Sequence, residues 1–221
     1  MRRDLSKTRT AAWLRLIDRI MLCFFKGEKF DELWIGAFKD KSETLSRARE
    51  ALQLIKEHDP QRYRRLTQDL KRVLICPLPA SGRFNARIEA CELDEKFVLA
   101  EATTPELLAS VIVHEATHAR LRSYGFGYKE MVRPKVEAIC VRRQLAFTRK
   151  LPTGQQARQW AQETLTYCSP VNLSDASKSK RDHDWYVEEF RRLGAPNWVV
   201  RATRALGKII EANRVRRTVR R

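Results

Sequence analysis

Apolar residues recur at helical spacing along most of this chain, and the clearest band is Leu107, Leu108, Val111, Ile112 and Leu121 within TTPELLASVIVHEATHARLR. Thr103 and Thr104 are N-cap candidates, Pro105 suits a first helical position that needs no N–H, and Glu106 complements the positive end of the helix dipole. The pattern predicts a helix over 103–122. Trp13, Leu14, Ile17, Ile20, Met21, Phe24 and Phe25 predict an amphipathic helix over 11–25 with basic residues opposite. Ser42 and Glu43 open another that runs to about His58. After Asp59 and Pro60, a strongly basic helix is expected from Gln61 to Lys71. Val136, Ile139, Cys140 and Leu145 give a helix around Glu137 an apolar face, and YGFGY (Tyr124 to Tyr128) supplies the glycines of a turn before it. Gln155 to Tyr167, Asp184 to Leu193 and Trp198 to Asn213 are further helices, with a polar loop at Ser169 to Asp182; FDELWIGAF (Phe30 to Phe38) reads as a short helix or turn.

Only three stretches read as convincing strands: Arg72 to Cys76, Asn85 to Leu93 and Lys96 to Ala100. They are separated by PLPASG and by a turn at Asp94 and Glu95. All three precede the helix at 103–122. The expected fold class is therefore α+β, mostly helical, with a small antiparallel or mixed sheet ahead of that helix. The organisation expected is an N-terminal helical region at 1–71, a core at 72–151, and C-terminal helices with a basic tail at 152–221, packed as one compact unit.

Charge changes this picture more than composition does. The 221 residues carry 44 Lys and Arg against 27 Asp and Glu, a net charge of +17. An excess this large favours an acidic or polyanionic partner, nucleic acid or anionic lipid, reached through the basic helices and the tail from Arg201 onward, which ends VRRTVRR. Five scattered cysteines without CxxC spacing argue against a disulfide framework and for a reducing compartment. Arg15, Asp18 and Arg19 interrupt the N-terminal apolar stretch, so no transmembrane segment is expected. The location expected is cytoplasmic, with peripheral contact on a membrane surface as the alternative.

Within the best-marked helix, His114 and His118 stand four residues apart, about 40° around the axis and about 6 Å along it, so both imidazoles reach one ion. Between them Glu115 points away by roughly 100°. The run HEATH is the HExxH pattern, in which two histidines bind zinc and the glutamate acts as general base toward a metal-activated water. Burying two histidines and a glutamate unpaired on an apolar helix costs on the order of 1 to 3 kcal/mol each, and a metal removes that objection.

The metzincin extension needs Gly at 121 and His at 124, where this chain has Leu121 and Tyr124. HEATH followed by Glu137, nineteen residues after His118, instead resembles a short zincin-type zinc metallopeptidase of the gluzincin kind. That resemblance implies His114, His118 and Glu137 as zinc ligands and Glu115 as the catalytic base. Glu130 is the competing ligand, with His183 or a water as further alternatives. The resemblance also implies that the sheet's edge strand lines the substrate, which makes Lys96 to Ala102 the candidate segment. Tyr128 and the residues His183, Asp184 and Tyr186 of DHDWY are candidates for holding a ligand imidazole or an oxyanion. The function expected is zinc-dependent hydrolysis of peptide bonds in a peptide or protein substrate. The alternative is a non-catalytic, metal-containing basic protein that binds nucleic acid or an anionic surface.

Overall fold

The computed structural model describes residues 22–38, 42–168 and 172–192, together with 194, 196–198 and 201. Most of the expected N-terminal amphipathic helix, nearly all of the helix expected from Trp198, and the basic tail lie outside the described residues.

Five strands form one sheet in the order β1-β2-β3-β5-β4. β1 (Lys26–Phe30) and β2 (Leu33–Ala37) are an antiparallel hairpin. β2, β3 (Arg72–Cys76) and β5 (Ala90–Asp94) run parallel, and β4 (Gly82–Asn85) closes the other edge antiparallel to β5. The hairpin corrects the expectation of a helix or turn at Phe30 to Phe38. Asp31 turns the chain by adopting a left-handed φ of 49°, a conformation that Asp tolerates better than most residues. Each strand spans five residues, too few for periodicity to separate strand from helix. The stretch expected as one strand from Asn85 to Leu93 is two strands with a turn between them, where Glu89 takes φ 49°.

The sheet alternates as a strand should. Val73 and Ile75 point into the main core with Leu33, Ile35 and Leu93, whereas Leu74 meets Phe25 and Ala90 on the opposite face. Four helices cover the main-core face: α1 (Ser42–His58), α2 (Pro60–Asp69), the short α3 (Glu95–Leu99) and α4 (Pro105–Ser123). Further along the chain come α5 (Arg133–Thr148), α6 (Gln155–Tyr167) and α7 (Asp175–Arg192). The fold is α+β and mostly helical, and every described strand precedes α4. None of the described helices is long and apolar enough to cross a membrane.

α3 replaces the strand expected at Lys96 to Ala100. Asp94 is not a simple turn residue: its carboxylate accepts from the Phe97 amide at 3.1 Å and the Leu78 amide at 2.9 Å, which caps a helix and pins the preceding loop. α4 begins as its sequence dictates, with the Thr104 hydroxyl accepting from Leu107 N at 3.2 Å and Pro105 in the first turn. It stops at Gly125, whose φ of +83° lets Phe126 N reach Leu121 O at 3.0 Å. Leu108, Ile112 and Ala109 are fully or almost fully buried along it, and truncating a Leu or Ile so placed costs about 2 to 5 kcal/mol.

Contacts divide the described residues into two units. The first comprises those up to Gly127 and Lys135–Thr166. The second comprises Tyr128–Pro134 and those from Tyr167 onward. In the second unit the polar run expected as a loop to Asp182 becomes helix at Asp175. The Ser174 hydroxyl caps it from Ser177 N at 3.1 Å, and Glu130 accepts from Asp175 N at 2.9 Å. The buried Arg133 guanidinium pairs with Asp175 at 2.5 Å and lies over the Tyr128 ring at 4.9 Å.

Candidate metal centre

Two helices of the first unit build the centre. His114 and His118 project from α4 one turn apart, with ring centroids 5.0 Å apart and their Nε2 atoms separated by 3.2 Å. From α5, Glu137 brings one carboxylate oxygen to 3.1 Å from His114 Nε2 and the other to 3.5 Å from His118 Nε2. All three side chains are only 12% exposed.

A one-way chain of hydrogen bonds orients His114. Its Nδ1 lies 3.2 Å from Gln144 Oε1; the Gln144 amide donates to Ser110 Oγ at 3.0 Å; the Ser110 hydroxyl donates to Leu107 O at 2.8 Å. Each member spends its proton in the same direction. The amide oxygen facing the ring accepts only, so Nδ1 carries the hydrogen of neutral His114 and Nε2 presents its lone pair to His118 and Glu137.

Electrostatics at the centre favour positive charge. Burial alone would lower the His114 pKa, but the hydrogen bond to Glu137, the charges of Glu115 and Glu137, and Gln144 raise it. Burial would raise that of Glu137, yet its hydrogen bonds to His114 and His118 and their charges hold it well below the usual carboxylate range. The same carboxylates that strengthen the grip on a proton also favour a cation held there.

The donor set fits zinc on its own geometry. Around a tetrahedral ion with bonds of about 2.0 to 2.1 Å, neighbouring N and O ligands lie about 3.3 Å apart. The three observed separations are 3.1, 3.2 and 3.5 Å. Two imidazoles and a carboxylate are also the ligand types that borderline-soft zinc accepts.

Sequence reasoning did not single out Cys140. Its Sγ and one ring nitrogen from each of His114 and His118 all lie within 4.8 Å of one another. Gln144 and Ser110 were also missed. The signal for the α5 residues is their spacing: Glu137, Cys140 and Gln144 stand at i, i+3 and i+7, one stripe of the helix. Ile139, expected on the apolar face, is 37% exposed, whereas Val136 and Cys140 are buried as expected, together with Val141 and Phe147.

Glu115 is buried at 6% exposure beside the centre. The edge strand β4 crosses α4 there. A Cβ on Gly82 would fall 2.8 Å from Val111 Cγ1 and 3.2 Å from Glu115 Oε1, so glycine is what lets the strand backbone approach the carboxylate. This corrects the candidate substrate-lining segment. Lys96 to Ala102 begins in α3, and the edge strand next to α4 is Gly82–Asn85, held to β5 by the pair Arg83–Glu92 at 2.5 Å.

Glu130, the competing ligand, spends its carboxylate on the start of α7 in the second unit. Tyr128 belongs to that unit too, beneath Arg133, as do His183, Asp184 and Tyr186 on α7; the side chain of Tyr186 lies outside the described residues.

Comparison with protein-family models, with curated proteins and with solved structures finds no match for this chain.

Proposed function

We propose that this chain is a zinc-dependent hydrolase of peptide bonds, resembling the gluzincin kind of zincin. One observation carries the proposal: HExxH on α4 converges with Glu137 of α5 at ligand-to-ligand distances, while Glu115 stays outside that triangle, against the edge strand. A purely structural site has no use for a carboxylate held beside the first histidine.

His114, His118 and Glu137 hold the ion, and Gln144 keeps the His114 ring in register. Zinc, when bound, supplies Lewis-acid chemistry that polarises a carbonyl and eases ionisation of water near neutral pH. Glu115 takes the proton from the attacking water and returns it to the leaving amine, so it must be ionised at the start of each turnover. β4 is the edge strand beside Glu115, and an extended peptide adding to it would align a scissile bond there. Gly82 keeps that approach close.

The test separates metal holding from proton transfer. Glu115→Gln is expected to retain stoichiometric zinc by elemental analysis while hydrolysis of an unstructured peptide falls by about 10² to 10⁴, the usual cost of losing a general base. Wild-type rates in zinc-loaded Glu115→Gln protein overturn the mechanism.

A further inference from the structure

Three donors complete a hydrolytic zinc site and leave its fourth position for water or substrate. Here a fourth donor is already in place. Cys140 is fully buried, stands one turn beyond Glu137 on the same stripe of α5, and puts Sγ within 4.8 Å of a ring nitrogen of each histidine. At three residues' separation, Cys140 and Glu137 differ by about 60° around the helix and about 4.5 Å along it, so both side chains approach the same point from one side. The α4 pair approaches from the other.

Zinc–sulfur bonds are about 2.3 Å long, which puts sulfur about 3.5 Å from a neighbouring nitrogen ligand. A side-chain shift of about 1.3 Å at most covers the difference. A buried thiol ordinarily packs as a small hydrophobe, but one held beside two imidazoles has soft-donor chemistry matched to zinc. Sites closed by four protein side chains hold their metal without turning over.

Resting on the zinc-hydrolase proposal, we infer that Cys140 is a fourth ligand, giving a closed His114, His118, Glu137, Cys140 set at rest, and that the Cys140 thiolate must withdraw before a peptide carbonyl and water gain the ion. The centre is latent by construction, with its latch on the same helix as its third ligand.

X-ray absorption of the zinc-loaded full chain tests the ligation directly. One sulfur neighbour at about 2.3 Å is expected in the wild type, and only nitrogen and oxygen neighbours in Cys140→Ser. Cobalt substitution gives a second readout, a thiolate-to-cobalt charge-transfer band that disappears in both Cys140→Ser and Cys140→Ala. Peptide hydrolysis then tests the latch: zinc-loaded Cys140→Ser is expected to be at least about tenfold faster than the wild type, a barrier lower by about 1.4 kcal/mol. Zinc without a sulfur neighbour in the wild type, or sulfur that persists in Cys140→Ser, overturns the ligation and leaves the hydrolase proposal standing. Sulfur present with no gain in rate for Cys140→Ser overturns the latch. Bound zinc with no hydrolysis by any variant sinks the hydrolase proposal while the ligation survives.

Discussion

HEATH on α4 and DHDWY on α7 both set histidine among acidic residues on a helix, yet the structure treats them differently. His114 and His118 are nearly buried and meet Glu137, Cys140 and Gln144 arriving from a second helix. His183 is half-buried, its neighbour Asp184 is exposed, and α7 is tied to its own unit by Glu130, Ser174 and Arg133. Among the described residues, clustered metal donors occur at HEATH and not at DHDWY. Polar neighbours in sequence do not make a histidine a ligand. Donors facing it across a packed helix pair are what make it a candidate.

Exchanging single residues in the two regions tests that contrast most strongly. His118→Ala is expected to lose zinc affinity by well over the roughly 100-fold that an outer partner is worth, with hydrolysis lost alongside, while His183→Ala keeps wild-type zinc content. Elemental analysis of both after dialysis decides the matter. Equal loss in the two variants would merge regions that the fold keeps apart.

A smaller effect is expected one step outside the proposed ligands. Gln144→Leu preserves bulk but removes the acceptor that fixes His114 Nδ1–H, so zinc affinity should fall about 10- to 100-fold. Competition with a chromophoric chelator measures it. The Ser110 hydroxyl then loses its donor, and thermal stability should drop with it.

The smallest expected effect is a pH dependence of the metal-free protein. Glu137 has a folded pKa below its unfolded value, so its contribution is present above about pH 4.5 and is lost as pH falls through the folded pKa. His114 has a folded pKa above its unfolded value, so its contribution is complete below about pH 6.5 and is lost as pH rises through the folded pKa. Metal-free stability from this pair should therefore be greatest between about pH 4.5 and 6.5. Zinc stabilisation should instead grow as pH rises, because the metal needs neutral imidazole. Urea titrations at pH 5.5 and 7.5, with zinc and with chelator, give both slopes, and His183→Ala should leave each unchanged.

Much of the first unit was legible because its signals are local. Thr104, Pro105 and Glu106 open α4 as their chemistry requires, Ser42 opens α1, and Arg72–Cys76 is a strand. The hairpin at Lys26–Ala37 was hidden by brevity. α3 was hidden because Asp94 serves turns and caps with the same carboxylate. The approach of His114 to His118 was readable from helical spacing on α4, and that of Glu137 to both from the apolar setting of α5. Cys140 was not, because a buried cysteine in an apolar stripe looks like packing until the histidines are seen beside it. Gly82 was read only as part of a turn, since its value lies in what passes 3.2 Å away. α7 was missed at its start because the groups at its N-terminus include Glu130, forty-five residues upstream of the amide it accepts from.

Thermal unfolding under zinc titration tests the central claim, that α4 and α5 together form a metal centre. A ligand that binds only the folded state stabilises it by about 2.7 kcal/mol at one hundred times its Kd. Starting from metal-free protein, the wild type and Glu130→Ala are expected to gain zinc-dependent stability together, with Glu130→Ala lower by about 1 kcal/mol throughout for its lost helix cap. Glu137→Ala should need far more zinc for any gain. Zinc-dependent stabilisation that survives in Glu137→Ala and vanishes in Glu130→Ala, or a wild type whose melting temperature ignores zinc, contradicts the account.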